Sequence, residues 1–253
     1  MTSLSFKPRV PVFDANVKVG DAHDELSPCP DRAGLLAEMD THNIQRAVIY
    51  HALADKTSPV DANRALKDWL GDEGRLYSQW AALPTRRSLE QLGELHAQGR
   101  VSSVRLAGLD IVKFPFRPWS YDPLLSWLSQ EGIPLWLALP EMDAHELVST
   151  LQAYPDLETV LVGAHYMHAL WVQPLMKALP RAHLELSRFE PIGQLEDLLD
   201  EFGASRFVFG SWYWRLAMGP MLFYLHHVGL SDDDLALVCE GNLVRILGEQ
   251  AND

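Results

Sequence analysis

Asp14 and Asn16 stand two residues apart in the run Val12-Phe13-Asp14-Ala15-Asn16-Val17. Side chains two apart on a strand share a face, so a carboxylate and an amide are expected together on the interior side of a first strand. In Ser103-Val104-Arg105-Leu106, the guanidinium turns inward if the two apolar residues face helices; the other placement is a loop edge with its head in water. Leu184-Glu185-Leu186-Ser187 alternates likewise and sets Glu185 and Ser187 inward. Burying an unpaired ion is costly, so Asp14, Glu185 and Arg105 are expected to pair with one another. His165 closes the run Thr159–His165. Its imidazole suits a general base toward water, with Arg105 stabilising the oxyanion that develops. His51 ends the second strand as another acid–base candidate, or as a structural, hydrogen-bonding histidine.

Around these residues, Lys18, Arg105, Lys113, Arg117, Arg188 and Arg215 fall at or just beyond strand ends. Such a ring favours a carboxylate or phosphate ligand through guanidinium contacts; pairing with loop acids such as Asp21, Asp24 and Asp110 is the alternative. Phe114, Phe116, Trp119, Tyr166, Trp171, Trp212, Tyr213 and Trp214 crowd the same end, either as a pocket lining or as a plug. Asn16, His51, Arg188, Tyr166, Trp212 and Tyr213 are therefore the substrate-binding candidates, beside Asp14, Arg105 and His165 as catalytic ones. Cys29, in Ser27-Pro28-Cys29-Pro30, has no histidine placed to activate it.

The elements that must position these groups alternate regularly. Strands are predicted at Val10–Val19, Ala47–Leu53, Leu76–Leu83, Val101–Leu106, Ile133–Leu139, Thr159–His165, His183–Phe189 and Arg206–Ser211, with helical periodicity in the segments between them, as in Leu195, Leu198, Leu199 and Phe202. The pattern predicts one (β/α)8 barrel domain, an α/β fold spanning residues 1–253. A doubly wound sheet competes, but no glycine-rich phosphate loop follows the first strand. A net charge of −13 opposes a nucleic-acid or anionic-membrane surface, leaving a small anionic molecule or a protein as partner. The two cysteines make neither a disulfide framework nor a paired zinc motif. Residues 1–9 lack the apolar core of a signal peptide and no run is long enough to span a bilayer, so a cytoplasmic protein is expected. Oligomeric state is not legible.

The ordered set Asp14-Ala15-Asn16-x-x-x-Gly20, Glu38-Met39-Asp40, Trp80-Ala81-Ala82-Leu83-Pro84, Phe202-Gly203-Ala204-Ser205-Arg206-Phe207-Val208-Phe209-Gly210 and Gly241-Asn242-Leu243-x-Arg245 resembles the amidohydrolase superfamily. More narrowly, it is similar to the branch holding metal-dependent decarboxylases and lactonases. The likeness runs from Val10 to Leu247. It implies a distorted (β/α)8 barrel with its chemistry at the C-terminal strand ends. It also implies metal ligands, which fall unevenly on this chain. The first-strand histidine pair falls on Asp14 and Asn16, and the fifth-strand histidine on Ala138 or a neighbour. The sixth-strand histidine is His165, and the eighth-strand aspartate falls on Trp212. A degenerate metal site is therefore expected, with no tightly held metal or other cofactor and at most weak divalent binding. Two functions follow: a hydrolase acting on a small carboxylated substrate such as a lactone or other ester-like bond, or an inactive barrel that binds a metabolite or protein.

Overall fold

The computed structural model describes residues 6–21, 29–191 and 193–248. Eight strands, β1 (Phe13–Val19), β2 (Arg46–His51), β3 (Leu76–Ala82), β4 (Ser103–Leu106), β5 (Leu135–Ala138), β6 (Thr159–Val162), β7 (Ala182–Glu185) and β8 (Phe207–Val208), pair in sequence order. Every pairing is parallel, as crossover connections require. The seam closes where the Ala15 N–H donates to the Phe209 carbonyl at 3.0 Å and the Lys18 N–H to that of Tyr213 at 2.6 Å. The result is a (β/α)8 barrel. Helices α1 (Arg32–Thr41), α2 (Pro59–Leu70), α3 (Arg86–Ala97), α4 (Leu109–Val112), α5 (Pro118–Glu131), α6 (Ala144–Leu151), α7 (Ala169–Ala178) and α8 (Gln194–Phe202) connect the strands, and α9 (Gly219–Leu225), α10 (Asp232–Ala236) and α11 (Asn242–Ile246) follow. Among the described residues no helix is long and apolar enough to cross a membrane.

Both faces of the strands are covered, so two apolar layers form. Val104, Leu106, Leu137, Leu161 and Leu184 pack outward with Leu92, Leu124, Leu128 and Leu195 of the helices. Phe13, Ala15, Val48, Trp136, Val160 and Val208 fill the barrel and meet Leu243, Val244 and Ile246 of α11. The C-terminal helix thus closes the end where the strands begin, leaving the opposite mouth for a site.

Several strands stop earlier than their apolar runs predict, β6 at Val162 and β8 at Val208. The residues beyond them turn away to build the mouth. One irregularity matters most. Asp14 pairs with Ala47 but Val17 with Ile49, so β1 advances one residue further than β2 over this stretch. That bulge interrupts the two-residue alternation. Phe13 and Ala15 join the interior apolar layer, whereas Asn16 and Lys18 line the cavity above it. The Trp136 indole N–H donates to the Ala15 carbonyl at 3.1 Å, at the bulge.

Candidate functional site

At the C-terminal ends of the strands lies a cavity of about 410 Å³. Its floor is built on Arg105, only 5% exposed. Val104 and Leu106 face the helices, so alternation along β4 sends Arg105 inward. Its Nη1 donates to Asn16 Oδ1 at 3.1 Å and to Gln79 Oε1 at 3.3 Å, and its guanidinium carbon sits 4.0 Å from the centroid of the Tyr50 ring. Asn16 in turn donates through Nδ2 to Glu185 Oε2 at 3.2 Å. Glu185 accepts further hydrogen bonds from the Ser187 amide at 2.7 Å and hydroxyl at 3.0 Å. It fits only because position 210 is glycine: a Cβ there would lie 2.1 Å from Glu185 Oε1.

The expected Asp14–Glu185–Arg105 ion cluster is not formed. An amide stands between guanidinium and carboxylate, accepting from one and donating to the other, which spares the barrel a fully desolvated ion pair. Asp14, on the far side of the bulge, does not share the cavity with Asn16. Its Oδ1 accepts from the backbone N–H groups of Asn16 at 3.0 Å and Ser211 at 2.9 Å, and Oδ2 is buried without a partner among the described residues. Burial raises its pKa to about 7 against the hydrogen bonds from Ser211 and Asn16, and the nearby Glu185 charge adds to the rise. Burial raises Glu185 as well, outweighing its hydrogen bonds from Ser187, Gly163 and Asn16.

The cavity wall is cationic. Lys18 pairs with Asp55 at 3.1 Å; Lys56, Arg188 and Arg215 also line it, with Glu141 as the other acid. The guanidinium carbons of Arg188 and Arg215 each lie 5.1 Å from the Trp212 ring centroid. Trp212 is held at φ 54°, a left-handed conformation that bulky side chains rarely adopt and that tends to occur at functional sites.

Of the sequence candidates, Asn16, Arg105, Arg188 and Trp212 line this cavity, and Asp14, His51, His165, Tyr166 and Tyr213 do not. His165 instead caps a short turn, its Nδ1 accepting from the Met167 N–H at 3.3 Å with its ring 4.2 Å from that of His168. Burial and then the Arg188 charge lower its pKa, so the ring is neutral at neutral pH, but it is turned to its own loop. His51 Nδ1 accepts from the Leu53 N–H at 3.2 Å, a structural role. Tyr166 is 70% exposed, and the Tyr213 backbone serves the barrel seam.

Of the basic ring, Lys113 lines a neighbouring groove with Phe114 and Phe116, and Arg117 pairs with Glu146 at 2.9 Å. Asp24 lies outside the described residues. Tyr50, Asp55, Lys56 and Glu141 were not legible as site residues. Tyr50 carries the one usable signal, standing two beyond the inward Val48; the others sit on turns, which have no periodicity to read. Among the described residues no group of three or more His, Cys, Asp or Glu side chains is placed to hold a metal ion.

No family model and no curated protein matches the chain. Solved structures do. The 5-carboxyvanillate decarboxylase of Sphingomonas paucimobilis superposes with a TM-score of 0.73 at 13% identity, over 95% of this chain and 100% of that one. An amidohydrolase from Burkholderia multivorans with bound zinc gives 0.73 at 14%, over 95% and 100%. A probable 2-pyrone-4,6-dicarboxylic acid hydrolase from Acinetobacter baumannii, with citric acid bound, gives 0.67 at 14%, over 94% and 100%. At such identities the likeness shows the fold: this barrel is the one that amidohydrolase-superfamily structures have.

Proposed function

We propose that this chain is a divergent amidohydrolase-type barrel that takes a small carboxylate and hydrolyses a lactone or other ester-like bond in it without a resident metal. The observation that carries the reading is Arg105: a guanidinium buried beneath the mouth, held by two amide oxygens and a tyrosine ring and by no carboxylate. Such a group is preorganised for an anionic partner, because its orientation is already set and little rotamer freedom is lost on binding. The side chains at the mouth do not fit a zinc ion. Two amides, a guanidinium and a phenol stand where zinc needs nitrogen, sulfur or free carboxylate donors. The three carboxylates nearby are already engaged, Glu185 by Ser187, Asp55 by Lys18 and Glu141 by the Leu109 N–H.

In the hydrolytic reading Arg105 stabilises charge developing on the carbonyl oxygen, and a cavity-lining carboxylate takes the proton of the attacking water and returns it to the alkoxide oxygen released as the ester C–O bond breaks. Asp55 and Glu141 are the carboxylates in the lining. His165 would have to leave its turn to serve. That engagement of His165 favours a second reading, binding without turnover. Titration calorimetry with small carboxylates tests the shared premise. Arg105→Ala should weaken binding more than tenfold, since losing one partner of a buried charged hydrogen bond costs about 2–5 kcal/mol. Arg105→Lys should also lose affinity, because an ammonium cannot reproduce the planar fork. Binders indifferent to Arg105→Ala would overturn the assignment. Lactone and ester turnover that persists in His165→Ala and falls in Asp55→Asn or Glu141→Gln would separate hydrolysis from binding alone.

A further inference from the structure

Arg188 and Arg215 approach the cavity from the loops after β7 and β8 and meet at one tryptophan. Two guanidinium carbons each 5.1 Å from the same centroid can be no further apart than twice that distance. They are of like charge, and neither forms an ion pair among the described residues. Three arginines elsewhere are neutralised by carboxylates: Arg46 by Glu240 at 2.8 Å, Arg75 by Asp40 at 2.8 Å, Arg117 by Glu146 at 2.9 Å. The Trp212 indole N–H is buried at this wall and is turned toward the Tyr50 hydroxyl, without a hydrogen bond of ordinary length and angle. The rim therefore holds an excess of positive charge beyond what Arg105 provides below.

We propose that this rim is a second anion subsite and that the ligand carries two anionic groups, one on Arg105 at the floor and one between Arg188 and Arg215 beside Trp212. The inference rests on the reading of Arg105 given above. An anion at the rim would convert the repulsion between the two guanidiniums into two charge-assisted contacts. Trp212 fits the role because its ring supports both cations and so holds them side by side at the wall. A dicarboxylate and a carboxylate bearing a phosphoryl or phosphonyl group share this chemistry, since both offer acceptor oxygens in the forked arrangement that guanidinium matches.

The test is calorimetry at low salt with matched acids: succinate, glutarate and adipate against butyrate, valerate and hexanoate, with 3-phosphonopropionate as the phosphorus arm. The diacids are expected to bind about tenfold or more tighter than their monoacid partners, the size of one added charge-assisted contact. That margin should vanish in the double variant Arg188→Ala/Arg215→Ala, shrink in Trp212→Phe, and survive in Lys113→Ala, which lies outside this cavity. Monoacid affinity should be unchanged by Lys113→Ala, and in the rim variants it should fall by less than diacid affinity does, since those residues line the same cavity. Arg188→Gln is the substitute if the alanine variant does not fold, as judged by thermal melting. Whichever diacid class shows the larger margin identifies the second group, and either result supports the subsite. A diacid margin that is absent, or that persists in the double variant, overturns it. Monoacids that bind through Arg105 with no diacid margin would overturn the subsite alone. A margin that depends on Arg188 and Arg215 but not on Arg105 would keep the subsite and overturn the floor assignment. No binding by any acid would overturn both.

Discussion

Asn16 organises the site because an amide can accept from a guanidinium and donate to a carboxylate at once, and neither a carboxylate nor an aliphatic side chain can do both. Its neighbour Glu185 depends on an absence, the missing Cβ at Gly210. With three heavy atoms of Glu185 within 2.9 Å of where that carbon would sit, and the carboxylate held by Ser187, the neighbour cannot yield cheaply. Gly210→Ala should therefore destabilise the fold by about 1–3 kcal/mol, the usual cost of overpacking, read as a lowered urea midpoint. Gly93→Ala is the contrast. That position lies inside α3 with nothing near the added carbon, and the substitution should stabilise by about 0.4–1 kcal/mol through the unfolded chain. Equal effects at the two positions would contradict this account of Glu185.

At the scale of elements, the bulge in β1 separates two residues that strict alternation would have placed together. At the barrel's other end, a π-helical turn at Leu237–Gly241 joins α10 to α11, and the next residue, Asn242, ties α11 to the start of β8. Its Nδ2 donates to the carbonyls of Ala204 at 2.9 Å and Phe207 at 2.8 Å, and the side chain is 1% exposed. Asn242→Leu would leave two buried carbonyls without this donor, at roughly 1–3 kcal/mol each before relaxation. We expect a clear drop in melting temperature, with hydrogen exchange accelerated first in α11. Exchange unchanged in that helix would show that packing of Leu243, Val244 and Ile246 suffices.

For the molecule as a whole, pH acts on carboxylates in opposite directions, Glu158 being lowered and Asp14, like Glu185, raised. Glu158 meets His183 at 2.9 Å, Arg245 at 3.1 Å and Arg181 at 3.3 Å. Burial alone would raise its pKa, and these partners override that and bring it down to about 2. A depressed carboxylate stabilises above its unfolded pKa, so this contribution is present above about pH 4.5 and is lost as pH falls toward 2. Asp14 works the other way. Raised from 3.8 to about 7, it binds its proton more tightly when folded, so stability falls as pH rises between those values and levels off above them. Asp14→Asn should flatten the descent on the neutral side, and Glu158→Gln the one on the acid side, in melting temperature against pH. An unaltered profile in either variant would count against the corresponding assignment. Metal content is the other whole-molecule expectation: purified protein should carry far less than one zinc per chain, and stoichiometric metal bound by Asp14 and His165 would reverse the reading of the mouth.

The sequence by itself determined the architecture. Eight apolar runs separated by helical periodicity leave few arrangements other than a parallel barrel, because each strand is buried on both faces and each crossover must return on one side. It offered Arg105 an inward placement if Val104 and Leu106 face helices, beside a loop edge, and the burial of both apolar residues against the helices decided between them. Tertiary structure alone decided who meets whom at the mouth. Alternation assumes unbroken register, and the extra residue between Asp14 and Val17 put Asn16 rather than Asp14 against Arg105. Lys56, Asp55 and Glu141 stand on turns whose direction depends on packing from other elements. His165 follows its strand as the motif expects, yet its ring is set by the local turn it caps, and no spacing rule encodes that choice.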